Sequence, residues 1–218
     1  MPEPNPLASG AAAHERLRRA VVRLELAPGA AVSEQQLADR FHLSKAAVRA
    51  ALARLRAEGL LVAEPRRGHV VAPLTLRDLG EVYALRLLLE PAAAAAAAAR
   101  IDRADVTRLR EQLDDADSID GFLEANRAVH VTVAAASGNR RLEAIVDRLL
   151  DDSERAIGVA LRTDRVPHVR DEHAALLAAL AERDAGAAER LMRTTIERFR
   201  DELLVILGGS AAVQDAAL

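Results

Sequence analysis

Apolar residues between residues 33 and 72 recur at helical spacing in two stretches that a short turn separates. The first predicted helix covers residues 34–40, and the second begins after Ser44 and stops near Gly59. Serine suits a helix N-cap because its hydroxyl accepts a hydrogen bond from an unpaired amide, and glycine adopts the left-handed conformation that ends a helix. The apolar positions of this helix–turn–helix pattern are Leu37, Ala38, Phe41, Leu43, Val48, Leu52 and Leu55.

Two short apolar runs follow the second helix and predict a pair of strands at residues 60–62 and 69–71. The turn between them carries Arg66 and Arg67, so its tip is basic. A basic tip fits a DNA minor groove or a row of phosphates; the alternative is a charged turn that only faces solvent. Helix, turn, helix and strand pair is the order of a winged helix, whose second helix enters a DNA groove.

The N-terminal turn of the second helix carries the residues that we expect to read DNA. Lys45 and Arg49 lie one turn apart on the same face, and both can reach base edges, where such cations pair with guanine. Ala46 is small and lets the helix approach the bases closely. The predicted DNA-binding residues are Gln35, Ser44, Lys45, Ala46, Arg49, Arg66, Arg67, Gly68 and His69.

Residues beyond Thr75 show helical periodicity throughout, without the alternation that would predict strands. Thr75 is expected to cap the first of these helices, with Asp78 as the acid at its third position. Short breaks separate the helices, so this half of the chain predicts an all-α bundle of antiparallel helices. The predicted helices cover about residues 76–99, 103–116, 119–136, 139–161, 166–182 and 185–207.

The predicted fold class is therefore mainly α, with two domains. The N-terminal domain is a winged helix of three helices and a small β-hairpin, whose first helix is expected at residues 14–24. The C-terminal domain is the helical bundle. The expected boundaries are a flexible leader at 1–10, the winged helix at 11–73, the bundle at 74–207 and a flexible tail at 208–218.

Charge is divided unevenly along the chain. The formal net charge is −3, but residues 1–75 carry a net +4 and the remainder a net −7. The basic part suits DNA, whereas the acidic part should be held away from it. The absence of cysteine excludes disulfides and thiolate metal sites. No signal peptide or membrane-length apolar run is evident, so we expect a cytoplasmic protein with no membrane partner.

A set of short motifs runs through the N-terminal part of the chain. They are Pro28-Gly29, Leu37-Ala38, Ser44-Lys45, Val48-Arg49-Ala50-Ala51-Leu52, Leu55-Arg56-Ala57-Glu58-Gly59-Leu60 and Arg67-Gly68. Over residues 12–72 they resemble the GntR family of bacterial transcription regulators. The resemblance implies a homodimer that binds palindromic, double-stranded operator DNA. Lys45 stands where arginine is usual, and Gln35 where many relatives carry a basic phosphate contact; both departures bear on operator preference.

A second set of motifs lies in the helical half. They are Arg86-x-x-x-Glu90, Asn126-x-x-x-His130, and His173 in a Glu-His-x-x-Leu-Leu context. Over about residues 76–206 they resemble the FCD ligand-binding domain of FadR-type GntR regulators. By the spacing from Met192, the last-helix histidine of that domain would fall at Thr195, which is a departure from the pattern.

The FCD resemblance implies a domain that dimerises and binds a small organic or sugar acid. The implied effector-binding residues are Arg86, Asn126, His130 and His173. One divalent metal (Zn²⁺, Ni²⁺ or Mn²⁺) would be held by Asn126, His130 and His173, weakly, because Thr195 is a poor fourth ligand. Alternatively the two histidines are buried and share hydrogen bonds or touch the effector directly. Arg86 either clamps a carboxylate or pairs with Glu90 in its own helix.

These patterns predict a DNA-binding transcription regulator, a repressor by family precedent, whose DNA affinity an acidic effector changes. One alternative is a regulator whose sensor has lost its ligand and serves only as a dimeriser. Another is a metal-dependent helical-bundle enzyme. We do not expect an enzyme, because Glu172 is adjacent to His173 and points to a different face, which leaves no well-placed carboxylate base.

Overall fold

The computed structural model describes residues 9–65, 67–161 and 170–208. The chain divides into two compact units, the N-terminal unit (residues 1–74) and the helical unit (residues 75–218). The structure confirms the predicted fold class, a mainly α chain with a winged helix followed by a helical domain. Residues 1–8 of the expected leader, Arg66, residues 162–169 and residues 209–218 of the expected tail lie outside the described residues, whereas residues 9 and 10 are helical.

The N-terminal unit contains three helices and three strands among its described residues. They are α1 (Ser9–Val22), β1 (Ala31–Val32), α2 (Glu34–Phe41), α3 (Lys45–Ala57), β2 (Leu61–Glu64) and β3 (Gly68–Val71). The strands form one antiparallel sheet in the order β1-β3-β2. The sequence predicted only the β2–β3 hairpin. Strand β1 is two residues long, too short to show an alternating pattern.

The turn between α2 and α3 is fixed by side-chain caps at both helix starts. Ser33 and Gln36 form a capping box at α2, and the hydroxyl of Ser44 accepts a hydrogen bond from the amide of Ala47 at α3. His42 ends α2 in the left-handed conformation, and Gly59 follows α3 in the same conformation, with φ of 82°. The predicted N-cap and helix stop of α3 are both confirmed. Helix α1, in contrast, begins and ends earlier than predicted.

One apolar cluster holds the N-terminal unit together. The cluster joins α1, α2, α3 and the sheet through Leu17, Val21, Leu37, Phe41, Val48, Leu52, Leu55 and Val71. Helix α3 contributes one face to this core, and its opposite face, which includes Lys45 and Arg49, is exposed. Burial of the apolar stripe therefore determines which side of α3 is presented to a partner.

The helical unit consists of six helices in its described part. They are α4 (Leu76–Ala98), α5 (Arg103–Asp114), α6 (Ile119–Ala136), α7 (Arg140–Leu161), α8 (Arg170–Ala181) and α9 (Ala185–Leu207). Thr75 caps α4, and its hydroxyl accepts a hydrogen bond from the amide of Asp78, as predicted. Within the described ranges, no helix is both long and apolar enough to cross a membrane.

Two arginine side chains satisfy carbonyl groups at helix ends in this unit. Arg100 donates to the carbonyl of Ser137 at 2.6 Å, and Arg183 donates to the carbonyl of Ala99 at 2.7 Å. The last carbonyls of a helix have no partner within the helix. These contacts therefore link the end of α6 to the segment after α4, and the end of α4 to the segment after α8.

Replacing Gly138 with alanine should destabilise the helical unit by about 1–2 kcal/mol, because an alanine is strained at a positive φ. Gly138 has φ of 80°, and a Cβ atom there would lie 1.9 Å from Nη1 of Arg100, which would displace its bond to Ser137. Thermal unfolding measures the change. Gly80→Ala is the matched control, since its Cβ meets nothing within 4 Å. Equal melting temperatures for the two variants would contradict the prediction.

Candidate functional site

The exposed face of α3 is the candidate DNA interface. Lys45, Ala46, Arg49 and Ala50 are exposed on it, while Ala47 and Val48 point into the core. The two exposed alanines leave the cations as the most prominent side chains at the N-terminal half of this helix. The structure exposes Lys45 and Arg49 on one face, as their spacing predicts, and Ala46 is exposed beside them.

Arg49 is not isolated on this face, because it pairs with Glu34 at the start of α2. Nε and Nη2 of Arg49 donate to the two carboxylate oxygens of Glu34 at 2.9 and 2.8 Å. This pairing raises the pKa of Arg49 and lowers the pKa of Glu34. This contact was not predicted from the sequence, because Glu34 and Arg49 are 15 residues apart in different helices.

Two further predicted DNA-binding residues make contacts within the protein. The side-chain amide of Gln35 donates to both carboxylate oxygens of Asp39 at 2.8 Å. The hydroxyl of Ser44 accepts the capping bond from Ala47, and its proton is left for another acceptor. Ser44 therefore caps α3 and keeps a hydroxyl donor at the exposed surface. For Gln35 to contact DNA, its amide must leave Asp39.

The hairpin of β2 and β3, which is the wing, contacts the rest of the N-terminal unit through Arg67. Its Nη1 donates to Glu64 at 2.8 Å and its Nη2 donates to the carbonyl of Gly29 at 3.0 Å. Gly68 follows with φ of 75°, a conformation that favours glycine. His69 is partly exposed on β3, and its Nδ1 is buried without a hydrogen-bond partner among residues 9–65, 67–161 and 170–208. Arg67 therefore has a structural role that the sequence did not predict.

The predicted effector residues are all buried in the helical unit. Arg86 lies on α4, Asn126 and His130 on α6, and His173 on α8. Thr195 is buried on α9. The structure brings Arg86 into contact with His130, and His130 into contact with His173.

A buried ion pair between Arg86 and Glu90 is the centre of this cluster. Nε of Arg86 lies 2.5 Å from a carboxylate oxygen of Glu90, with the two side chains 2% and 1% exposed. Nη1 of Arg86 donates to the hydroxyl of Ser153 on α7 at 3.2 Å. Of the two interpretations of Arg86, the structure therefore shows the pair within α4.

The second oxygen of Glu90 accepts from the Nδ1 of His130 at 2.5 Å. Burial by itself raises the pKa of Glu90, but Arg86 and His130 outweigh burial and lower the pKa to about 2. Burial lowers the pKa of His130, and the guanidinium of Arg86 lowers it further against the opposing effect of Glu90. The arginine and the glutamate are therefore ionised, and burial favours the neutral form of the imidazole.

The two histidines share a hydrogen bond, which was one of the alternatives left by the sequence. Their Nε2 atoms are 3.3 Å apart, and their rings are almost perpendicular. Because Nδ1 of His130 donates to Glu90, its Nε2 carries the lone pair and accepts the proton of His173. The carboxylate of Glu90 thus fixes the tautomers of both rings.

Tyr83 completes the cluster one turn before Arg86. Its ring lies 5.1 Å from the guanidinium carbon, close enough for a cation–π contact. Burial raises the pKa of Tyr83 to about 12, so the phenol keeps its proton. Among the described residues the hydroxyl has no hydrogen bond of good geometry, although Ser153 and Arg86 lie nearby. No sequence pattern indicated that Tyr83 and Ser153 belong to this site.

The donor set does not fit a tightly bound metal ion. Two imidazoles are present, but the remaining expected ligands, Asn126 and Thr195, offer only neutral oxygens. Nη2 of Arg86 lies 3.3 Å from both ring nitrogens of His130, so a cation already stands beside that ligand. Within residues 9–65, 67–161 and 170–208, no group of three or more His, Cys, Asp or Glu side chains is arranged to hold a metal.

Comparison with known proteins relates both units to bacterial regulators. The gntR family of bacterial regulatory proteins matches residues 10–71, and the FCD domain matches residues 81–198. An uncharacterized HTH-type transcriptional regulator in an unstable DNA locus of Streptomyces ambofaciens is 30% identical over 86% of this chain and 82% of its own length. The HTH-type transcriptional repressor RspR of Escherichia coli K12 is 24% identical over 86% and 85%.

Solved structures show the same architecture. The E. coli protein McbR/YncC superposes with a TM-score of 0.78 over 91% of this chain and 97% of that chain, at 20% identity. At this level of identity, the likeness shows a shared fold and says nothing of a ligand.

Replacing Glu90 with glutamine should lower the free energy of unfolding of the helical unit by about 3–5 kcal/mol, because it leaves the buried charge of Arg86 uncompensated. Calorimetric melting measures the loss. The double variant Arg86→Met, Glu90→Leu removes both charges and should recover most of it. The wild type should lose stability as the pH falls from 4.5 toward about 2, where Glu90 takes up a proton, and Glu90→Gln should lack this step. A Glu90→Gln variant as stable as the wild type would show that the pair is not the central interaction.

Proposed function

We propose a ligand-controlled repressor, since the chain belongs to the gntR family of bacterial regulatory proteins and carries their FCD domain. The protein is a DNA-binding transcription regulator and not an enzyme. The finer parts of the proposal are the direction of regulation, the homodimer and the acidic effector. A cytoplasmic location follows from the position of its DNA target.

The observation that carries the DNA-binding role is the exposed N-terminal half of α3. Lys45 and Arg49 project from it between small alanines, and a capped turn holds the helix start in place. A helix of this kind inserts into the major groove with its N-terminal residues at the base edges. In a homodimer, two such helices would contact two half-sites of a palindromic operator.

The buried cluster of the helical unit supports a small organic or sugar acid as the effector. A carboxylate accepts hydrogen bonds from guanidinium and phenol groups, and here Arg86 and Tyr83 provide both kinds of donor. The Tyr83 hydroxyl is a buried donor without a good partner among the described residues, which is costly unless a ligand satisfies it. We propose that an acid binds at this point without a metal ion.

Repression is proposed for two reasons. RspR, a relative that matches most of this chain, is a repressor by name. A regulator that binds DNA without its ligand and leaves it with the ligand needs only different affinities of the acid for two conformations. The coupling free energy for such a protein is typically about 1–3 kcal/mol.

A sensor that has lost its ligand is the second candidate. The internal pairing of Arg86 with Glu90 and of His130 with His173 favours it, because these groups already satisfy one another. The protein would then be a constitutive dimeric DNA binder. An acid that changes DNA affinity separates the two candidates.

Lys45→Ala should weaken binding to a selected operator by on the order of tenfold or more, because a direct contact to guanine is worth about 1–3 kcal/mol. The operator is obtained by selecting duplexes from a random pool with the wild-type protein, and affinity is measured by fluorescence anisotropy. Arg103→Ala, which removes an exposed cation from the helical unit, is the control and should bind normally. Wild-type affinity for Lys45→Ala would exclude α3 as the reading helix.

At least one acid in a panel of small dicarboxylic and sugar acids should raise the melting temperature of the protein and weaken its binding to the selected duplex. His173→Gln should reduce both effects, because it alters the hydrogen bond to His130. Arg108→Gln, an exposed position on α5, is the matched control.

The responses to the acid should be equal with EDTA and with added Zn²⁺, Ni²⁺ or Mn²⁺. A response that requires the metal would overturn the metal-free site, and no response to any acid favours the ligand-free sensor.

A further inference from the structure

Glu34 stands at the junction of the three elements that carry the candidate DNA-binding residues. It is the first residue of α2, and its carboxylate is bonded to Arg49 of α3. Lys45 of α3 and His69 of β3 lie near enough to contribute to its lowered pKa, after the larger effect of the Arg49 hydrogen bonds. A carboxylate is therefore placed among the cations that face DNA, where repulsion from phosphate would ordinarily disfavour it.

The geometry of the pair explains why a carboxylate is useful there. Arg49 is 70% exposed, so without a partner its long side chain would sample many rotamers. Glu34 binds the Nε–Nη2 edge of the guanidinium in the bidentate arrangement. Among the described residues, Nη1 of Arg49 makes no hydrogen bond, since only Nε and Nη2 donate to Glu34. The remaining edge of the same planar group is thus held in one orientation and available to a base.

We propose that Glu34 is a positioning residue for sequence recognition, which orients the guanidinium of Arg49 so that its free edge reads a base in the operator. The inference rests on the proposed role of α3 as the reading helix. In this role, total affinity for DNA and preference for the correct sequence change in opposite directions. Glu34 reduces total affinity for DNA through its charge, but it increases the preference for the correct sequence by fixing the direction of the donor.

The two acids of α2 that accept side-chain hydrogen bonds, Glu34 and Asp39, have different partners. Asp39, the other acid on α2 that bonds a predicted contact residue, is paired with the neutral Gln35. Only the Glu34 pair, among the described residues, links a carboxylate of α2 to a cation on the exposed face of α3. The specificity effect should therefore belong to Glu34 and not to acidic residues of α2 in general.

The test measures two affinities for each variant, one for the selected duplex and one for a scrambled duplex of equal length at the same salt concentration. Glu34→Gln should lower the ratio of the two by on the order of tenfold and should leave scrambled binding equal or tighter. Arg49→Lys should lower the ratio similarly, because an ammonium keeps the charge but cannot form the bidentate pair. Glu25→Gln, an exposed acid of the same unit, controls for the loss of one negative charge and should keep the ratio.

A double-mutant cycle tests whether Glu34 acts through Arg49. In an Arg49→Ala background, Glu34→Gln should leave the ratio unchanged within about twofold. A wild-type ratio for Glu34→Gln, or an equal loss with and without Arg49, would overturn the proposal. If Glu34→Gln melts below the assay temperature, the Arg49→Lys ratio decides, and a wild-type value there overturns the proposal. Failure of the wild type to select any duplex would instead refute the DNA-reading role of α3.

Discussion

The ion pair of Arg86 and Glu90 is the interaction on which the helical unit depends. Neither charge has appreciable contact with water, and the removal of each from water costs several kcal/mol. Mutual attraction offsets that cost only when the remaining hydrogen-bonding atoms also find partners. Here Ser153 of α7 and His130 of α6 provide them. The pair therefore requires α4, α6 and α7 to meet in one arrangement, which apolar packing alone would leave less strictly defined.

The same chemistry has another consequence at the surface. Arg49 and Glu34 also form a bidentate pair, but Arg49 is mostly exposed, and water and salt screen such a pair. Its contribution to stability is accordingly small. What it supplies is orientation, because a planar guanidinium held by one edge can donate only in the direction of the other. An arginine–glutamate pair thus fixes the packing of helices in the interior and the direction of a hydrogen-bond donor at the surface.

The sequence predicted the parts of the structure that follow from local patterns. Helix α3 with its cap at Ser44, its end near Gly59 and its exposed Lys45 and Arg49 follows from helical spacing and cap chemistry. Contacts between residues far apart in the chain were not predictable in this way. The bond from Arg67 to the carbonyl of Gly29 and the short strand β1 depend on the fold having already formed.

The helical site shows the same limit more clearly. The motifs that resemble the FCD domain named Arg86, Glu90, His130 and His173, so these members of the cluster were identified from the sequence. The protonation states of these residues could not be predicted from the sequence, because they depend on burial and on which groups contact one another. Tyr83 and Ser153 were missed for a related reason, since a single tyrosine or serine on a helix carries no periodic signal.

This dependence also limits how the site can respond to a ligand. If Glu90 moved away from Arg86, the buried positive charge of Arg86 would be left uncompensated. A neutral ligand that separated the two would therefore bind less favourably by the free energy of the broken pair. An anionic ligand could replace the carboxylate that it displaces and keep the guanidinium compensated, provided that the displaced carboxylate of Glu90 takes up a proton. Since Glu90 also holds Nδ1 of His130, such an exchange would free the imidazole and change its bond to His173 of α8. For the proposed effector, the chemistry of the ion pair therefore favours an acid over a neutral metabolite, and binding of that acid would alter the contact between α6 and α8.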